Sequence, residues 1–451
     1  MPQEKFHYKS LEEVKQRAAE LGVDLPFAAD THALAQPLTV RNITFPNRLG
    51  VAPMEGADST PEGAPTEYTT RRYVNEAIGG SSVIWFEAIS IVEEGRSSQT
   101  QLLLTRDTLD EFKKMTTAVK EAGLKANGYA PYLIMQANHS GRYSNPGNKP
   151  APMIAYRHPI LEQYRAADDS CIVTDDYLKG LEEKFGEATK LAKEAGFDAV
   201  DIKNCHGYLL AELASAYNRP GEYGGSFENR FRLLKNGIRA AKVYEDDSFM
   251  VTARVGIYDG YAYPWGFGVS PESGMTPDLT EPIRLVRDLH NELGLNMVNL
   301  TMGNPYATTH VTRPFDFGKY EPDEHPFVGL ARMIHGIGAM KKAVPEMTIW
   351  ASAPTYLRAY ADLFSAGAVE QGLCDGMLFG RMAFADPDFA NEIVKNGRID
   401  PKRVCLTCGK CGDLIRAHKP TGCVIRDAKT FMPFYKEFLE IKKTQPANFR
   451  G

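Results

Sequence analysis

Four cysteines near the C-terminus, Cys405, Cys408, Cys411 and Cys423, follow the spacing C-x2-C-x2-C-x11-C. Thiolates crowded in this way hold an iron–sulfur cluster or a zinc ion. Of the seven cysteines in the chain, the other three (Cys171, Cys205 and Cys374) are scattered. In a reducing cytosol the cluster reads as a metal site rather than a disulfide framework. A second set of chemically active side chains follows short apolar runs: Pro53-Met54-Glu55-Gly56, then Gln136 through Asn138-His139-Ser140-Gly141-Arg142, then Lys203, His206 and Tyr208, then Arg254, and last Gly380-Arg381. By residue type alone these make a polar rim suited to an anionic ligand.

Such residues act together only if one scaffold gathers them. Eight short runs rich in β-branched or aromatic residues are spaced along the chain: LGVAPM (49–54), SSVIWFEA (81–88), APYLIMQA (130–137), DAVDIK (198–203), FMVTARV (249–255), NMVNLTM (296–302), TIWASA (348–353) and GMLFG (376–380). Their length and apolarity suit buried parallel strands. Amphipathic stretches separate them. The clearest has Thr174 as a cap, Asp175 and Asp176 in its first turn, and Leu178, Leu181, Phe185, Ala188, Ala192 and Ala195 on one face. Gly196 ends it. Strand, helix, turn and strand repeated eight times predict an α/β fold, a closed (β/α)8 TIM barrel. The competing doubly wound open sheet lacks a G-x-G-x-x-G after its first strand. In a barrel, catalytic groups sit at the C-terminal ends of the strands, which is where the polar groups above fall. Residues 140–172 and 258–275 are then loops on that face. Residues 1–36 read as an N-terminal helical extension, 37–398 as the barrel and 399–451 as a C-terminal Cys-rich tail.

Bulk properties exclude other classes. The 451 residues are 43% hydrophobic and carry a formal charge of -5. The core can be large, and a weakly acidic chain without a basic block is a poor nucleic-acid binder. No apolar run reaches the ~18 residues of a membrane-spanning helix. The N-terminus is charged and amphipathic with no signal-peptide core, so the expected location is cytoplasmic.

The stretch HGYLLAELASAYNRPGEYGGSFENRFRLL (206–234), with NRLGVAPM (47–54), HSGR (139–142) and GRMAFADPDF (380–389) in the same order, resembles the old yellow enzyme and 2,4-dienoyl-CoA reductase family of NADH:flavin oxidoreductases over about residues 37–425. The resemblance implies FMN held non-covalently at the barrel mouth, with NAD(P)H as electron donor. It places Pro53 and Met54 against the flavin, Ala88 near its pyrimidine edge, Gln136 in a hydrogen bond to that edge, and Arg254 beside N1 and O2. Gly380 and Arg381 match the phosphate grip. It makes Lys203 and His206 the two donors to a substrate carbonyl and Tyr208 the proton donor to Cα. The implied reaction is that of an ene-reductase: hydride passes from flavin N5 to the β-carbon of an α,β-unsaturated carbonyl compound. Three departures stand out. Lys203 replaces a histidine but is still a donor. Glu55 stands where relatives have Thr or Cys near the flavin C4 carbonyl; ionised, it disfavours the reduced anionic flavin, and protonated, it can donate to O4. Ala351-Ser352-Ala353-Pro354 replaces a glycine-rich phosphate turn, where Ser352 and the Ala353 amide remain and Pro354 removes a donor.

By the same resemblance the cysteine tail matches the [4Fe–4S] position of the dienoyl-CoA reductase and trimethylamine dehydrogenase branches, with a spacing that mixes the two. Zinc and free thiols are the other readings. Those relatives have further nucleotide-binding domains. With this sequence stopping at Gly451, a cluster implies an electron-transfer flavoprotein or ferredoxin as partner, and its absence implies direct reduction by NAD(P)H. Family barrels also often form homo-oligomers. An amine dehydrogenase or demethylase of the trimethylamine dehydrogenase type is the second reading, with Tyr132, Trp265 and Tyr306 as a cation cage. A flavin and iron–sulfur electron-transfer subunit is the third.

Overall fold

A computed structural model describes residues 4–273, 275–316 and 321–444. An antiparallel hairpin, β1 (Leu38–Val40) and β2 (Ile43–Phe45), precedes eight parallel strands: β3 (Leu49–Val51), β4 (Val83–Ser90), β5 (Tyr132–Asn138), β6 (Ala199–Asn204), β7 (Met250–Gly256), β8 (Met297–Thr301), β9 (Thr348–Ser352) and β10 (Gly376–Phe379). Each lies within, or within two residues of, one of the eight apolar runs. They close as a barrel in the order β10-β3-β4-β5-β6-β7-β8-β9, with helices around it as the strand–helix alternation predicts.

Side-chain alternation explains how the barrel fills. Trp85, Ile134, Ala199, Met250, Met297, Trp350 and Leu378 form one buried cluster with Leu38, Val40 and Phe45 of the hairpin. Phe45 meets the Trp350 ring edge-on at 5.9 Å and the Tyr132 ring at 5.3 Å. The hairpin, which the sequence reading did not anticipate, therefore plugs the N-terminal end. Burying each such large side chain contributes about 1.5–3 kcal/mol. Two residues further along, the same parity brings Gln136, Asp201, Thr252, Asn299, Ser352 and Gly380 inward, and two more bring Asn138, Lys203 and Arg254 to the open end. In β4 the count is broken: its register with β5 shifts between Trp85 and Ala88. This bulge turns Ala88 inward and sends Glu87 outward to the helix Glu67–Ile78, where it meets Arg72 and Tyr73.

Outside the barrel, the helix Asp175–Glu194 starts as read: the Thr174 side chain accepts from the Tyr177 N–H at 3.1 Å. Phe6, Val14, Ala18, Leu25, Ala28 and Leu34 of the N-terminal segment, which holds helices Leu11–Glu20 and His32–Ala35, join the main core. In the tail, helices Lys410–Arg416 and Ala428–Thr444 enclose a small core of Leu414, Val424, Phe431, Tyr435 and Phe438. No helix among the described residues is long and apolar enough to cross a membrane.

Candidate active site

Strand register assembles the site in two layers. Ala88 pairs with Gln136 and Gln136 with Asp201; one step nearer the mouth, Lys203 pairs with Arg254 and Arg254 with Asn299. Asp201 is the hub of the lower layer. Its carboxylate accepts from Gln136 Nε2 at 2.6 Å, from Trp85 Nε1 at 2.7 Å and from the Arg254 amide. Burial pushes this carboxyl up, against the donors that hold it down. With its Nε2 committed to Asp201, the Gln136 side chain is held in one orientation. Arg254 is buried, and its Nε has no hydrogen-bond partner among the described residues. An unpaired guanidinium N–H in a protein interior is costly, and an anionic ring edge would satisfy it. The Arg254 site thus fits the flavin pyrimidine expected there.

After β6 the chain reverses through two left-handed residues, His206 at φ 68° and Gly207 at φ 68°. A non-glycine residue in this region is strained, and the turn it makes carries Tyr208 back over the mouth. His206 Nε2 is buried without a partner. Burial, Arg254 and Lys203 hold its imidazole well below the ordinary range, so it is neutral. Lys203 Nζ lies 3.8 Å from the centre of the Tyr208 ring. Burial lowers its ammonium to about 8, with Arg254 acting in the same direction and Cys205, Glu55 and Asp201 opposing. Tyr208 Oη is 2.9 Å from Glu55 Oε1 and 2.7 Å from Tyr306 Oη. Tyr143 stacks on Tyr306 at 3.9 Å and closes an aromatic wall with Ala88 and Tyr208.

At the opposite rim, the Ser352 hydroxyl accepts from Asn299 Nδ2 at 2.9 Å, and Ala353 is left-handed at φ 74°. Met54 Sδ lies 3.2 Å from where a Cβ on Gly380 would stand, so a side chain there would press on the end of β3. Arg381 is buried and donates to the Pro314 carbonyl at 2.8 Å. Nearby Arg313 is lowered to about 10 by burial and by Arg416 and Arg381. Pro53, Met54 and Glu55 are half-buried at the first strand end.

Other parts of the motifs are scaffold. His139 bonds Tyr177 Oη at 2.9 Å, and Arg142 is fully buried against Glu212; neither faces the mouth. Gly141, at φ 58°, passes so close to Leu209 that a Cβ would lie 2.7 Å from its amide nitrogen. Within YGGS-x-ENR, Ser226 caps its helix, and Arg230 donates to the Ala214 and Gly225 carbonyls. That anchors the segment following Tyr208. Of the three aromatic cage residues, only Tyr306 reaches the mouth. Tyr132 points its hydroxyl at the Asp198 carbonyl, beside Phe45 at the plugged end. Trp265 stacks on Tyr156.

Cys405, Cys408, Cys411 and Cys423 line one cavity together with Arg381 and Arg426. Backbone amides of Thr407 and Arg426 approach Cys405 Sγ at 3.4 Å and Cys423 Sγ at 3.3 Å. Among the described residues there is no group of three or more His, Cys, Asp or Glu side chains that could hold a metal ion as placed. The tail also reaches the mouth: the Thr421 N–H donates to the Gly56 carbonyl at 2.8 Å, while the Gly56 N–H donates to Glu87 at 2.9 Å.

Asp201, Tyr143 and Arg313 were not singled out from the sequence. Asp201 could have been found by counting two back from Lys203 on the inward face. Tyr143 directly follows HSGR, but its direction depends on a loop. Nothing in the sequence marks Arg313.

Residues 33–265 match the NADH:flavin oxidoreductase / NADH oxidase family. An NADPH dehydrogenase of Bacillus velezensis is 33% identical over 223 residues, 48% of this chain and 62% of that protein. One from Clostridium acetobutylicum is 29% identical over 276 residues, 60% of this chain and 74% of that protein. Among solved structures, a 2-naphthoyl-CoA reductase in complex with 2-naphthoyl-CoA superposes with a TM-score of 0.71 at 19% identity, over 90% of this chain and 58% of that one. An old yellow enzyme homologue from Zymomonas mobilis gives a TM-score of 0.59 at 20% identity, over 81% and 94%. At those identities the structures speak for the barrel alone. The sequence match takes in more than half of the residues and most of the site just described, and on it rests the assignment: this chain belongs to the NADH:flavin oxidoreductase / NADH oxidase family.

Proposed function

We propose that the chain is an FMN-dependent ene-reductase acting on an α,β-unsaturated carbonyl compound. The observation that carries this reading is the convergence of Lys203, His206 and Tyr208 on a mouth where Arg254 Nε and His206 Nε2 are buried without partners. Gln136, Arg254, Ser352 and the β10 end would hold FMN, which supplies hydride at N5 when reduced by NAD(P)H. Lys203 and neutral His206 donate to the carbonyl oxygen, and the Lys203 charge stabilises the negative charge that grows there. Tyr208 keeps its proton, because burial and Glu55 hold the phenol far above its ordinary range. It can therefore protonate Cα without ionising at rest. A pure electron carrier has no use for such a donor set. An amine substrate would meet the Lys203 ammonium without the full aromatic cage.

Cys405, Cys408, Cys411 and Cys423 would hold a [4Fe–4S] cluster, which supplies one-electron transfer. Four thiols around one cavity, with two backbone amides directed at sulfur, support this reading. An electron-transfer flavoprotein or ferredoxin is the partner it would serve.

The test is steady-state turnover of flavin-loaded protein with 2-cyclohexenone against trimethylamine. Alkene reduction that falls roughly 10²-fold or more in Tyr208→Phe is the expected result. Turnover of the amine alone would replace this reading with the dehydrogenase one.

A further inference from the structure

Glu55 is bonded to the phenol of Tyr208, and this contact gives it a second part to play. Tyr208 is buried, roofed by Lys203 Nζ at 3.8 Å and walled by Tyr143 and Tyr306. With only 4% of the residue exposed, the phenol depends on its bonded neighbours for a proton once it has given its own up. Among the described residues, two groups are bonded to its oxygen: Glu55 Oε1 at 2.9 Å and Tyr306 Oη at 2.7 Å. Burial, Glu55 and Tyr143 push the Tyr306 phenol far above the neutral range, with Tyr208 and Arg313 opposing. Tyr143 is likewise raised, and His206 is held neutral by Lys203 and Arg254. Glu55 is a half-buried carboxyl at the end of β3, so it reaches both the phenol and solvent.

We propose that Glu55 is the proton supply of Tyr208, a positioning and relay residue that works through the phenol. The proposal rests on the ene-reductase reading. In the step, a C–H bond forms at Cβ with hydride from the reduced flavin. The alkene π pair moves toward the carbonyl. The Tyr208 O–H then breaks as a C–H forms at Cα. The Glu55 carboxylate, which accepts from the phenol at rest, then takes a proton from water and passes it on, its new O–H breaking as the phenol O–H is restored. The substrate gains two electrons and the flavin loses two.

Glu55→Gln separates geometry from supply: its amide can still donate to the Tyr208 oxygen but releases no proton. With flavin-loaded protein reduced anaerobically by dithionite or NADPH and mixed with 2-cyclohexenone, the variant should show a burst of a single oxidation per site. A steady state about 10-fold or more below the parent should follow, with a larger solvent isotope effect. Identical steady-state rate, pH profile and isotope effect in parent and variant overturn the relay. An independent readout is 13Cζ-tyrosine NMR of the flavin-loaded protein. The Tyr208 titration should move to lower pH in Glu55→Gln, and a resonance indifferent to the change overturns the relay whatever the substrate. Failure of the parent itself to be oxidised by the enone counts against the ene-reductase reading and takes the relay with it.

Discussion

Arg254 and Lys203 occupy neighbouring positions in register, two buried cations side by side with no ion pair to a carboxylate among the described residues. Their placement was legible because strand parity says which side chains near a strand end face in. Their protonation was not, since it depends on how completely the walls exclude water. Replacing Arg254 by Ala should weaken FMN binding roughly 10- to 100-fold, in line with losing a hydrogen bond to a charged group; flavin fluorescence on dilution measures it. In the proposed reaction the Lys203 ammonium is the form that would hold the carbonyl, and burial lowers it to about 8. Carbonyl binding should therefore weaken as pH rises through about 8, read as an increase in KM for the enone. Lys203→Met should be flat in that window with a uniformly higher KM. A parent KM that is constant from pH 7 to 9 would remove Lys203 from the carbonyl site.

Among the elements, strand β4 shows where a sequence reading falls short. Its run was found, but the bulge between Trp85 and Ala88 changes which residues point inward, and no local residue preference announces it. Its effect is to hand Glu87 to the helix Glu67–Ile78, whose Arg72 also holds Asp58 at 2.9 Å. On the same helix Glu76 is buried with one carboxyl oxygen unpartnered, and burial pushes it up to about 8. A carboxyl raised on folding adds most to stability below its unfolded value near 4.5, and that contribution is lost as pH rises through about 8. Glu76→Gln should thus have a higher Tm than the parent at pH 8.5, with the difference shrinking toward pH 5. Equal melting curves at both pH values would show that Glu76 is not buried as a carboxyl. The helix Asp175–Glu194 is the opposite case, since cap, apolar face and terminal glycine were all readable. Thr174→Ala should cost about 1 kcal/mol, measured as a lower urea midpoint with an unchanged slope.

At the scale of the molecule, the barrel was legible because eight apolar runs recur at βα intervals. The hairpin plug was not, because its strands of three residues each are too short to show a period. The tail was visible as a spacing of cysteines, but spacing does not say where the cavity lies. The structure puts it against Arg381, at the foot of the β10 end. Anaerobic purification should yield about four irons and matching sulfide per chain, and Cys423→Ser should lower that content; an iron-free protein with a clean flavin spectrum would end the cluster reading. One hydrogen bond joins these two regions. The Thr421 amide rests on the carbonyl of Gly56, the residue after Glu55. By thermodynamic reciprocity, whatever factor a guest in the thiol cavity imposes on affinity at the mouth, a guest at the mouth imposes on affinity in the cavity. Gly56 and Thr421 are then the contact across which any such factor would pass, and a chain loaded at one end would be, by that same factor, a different receptor at the other.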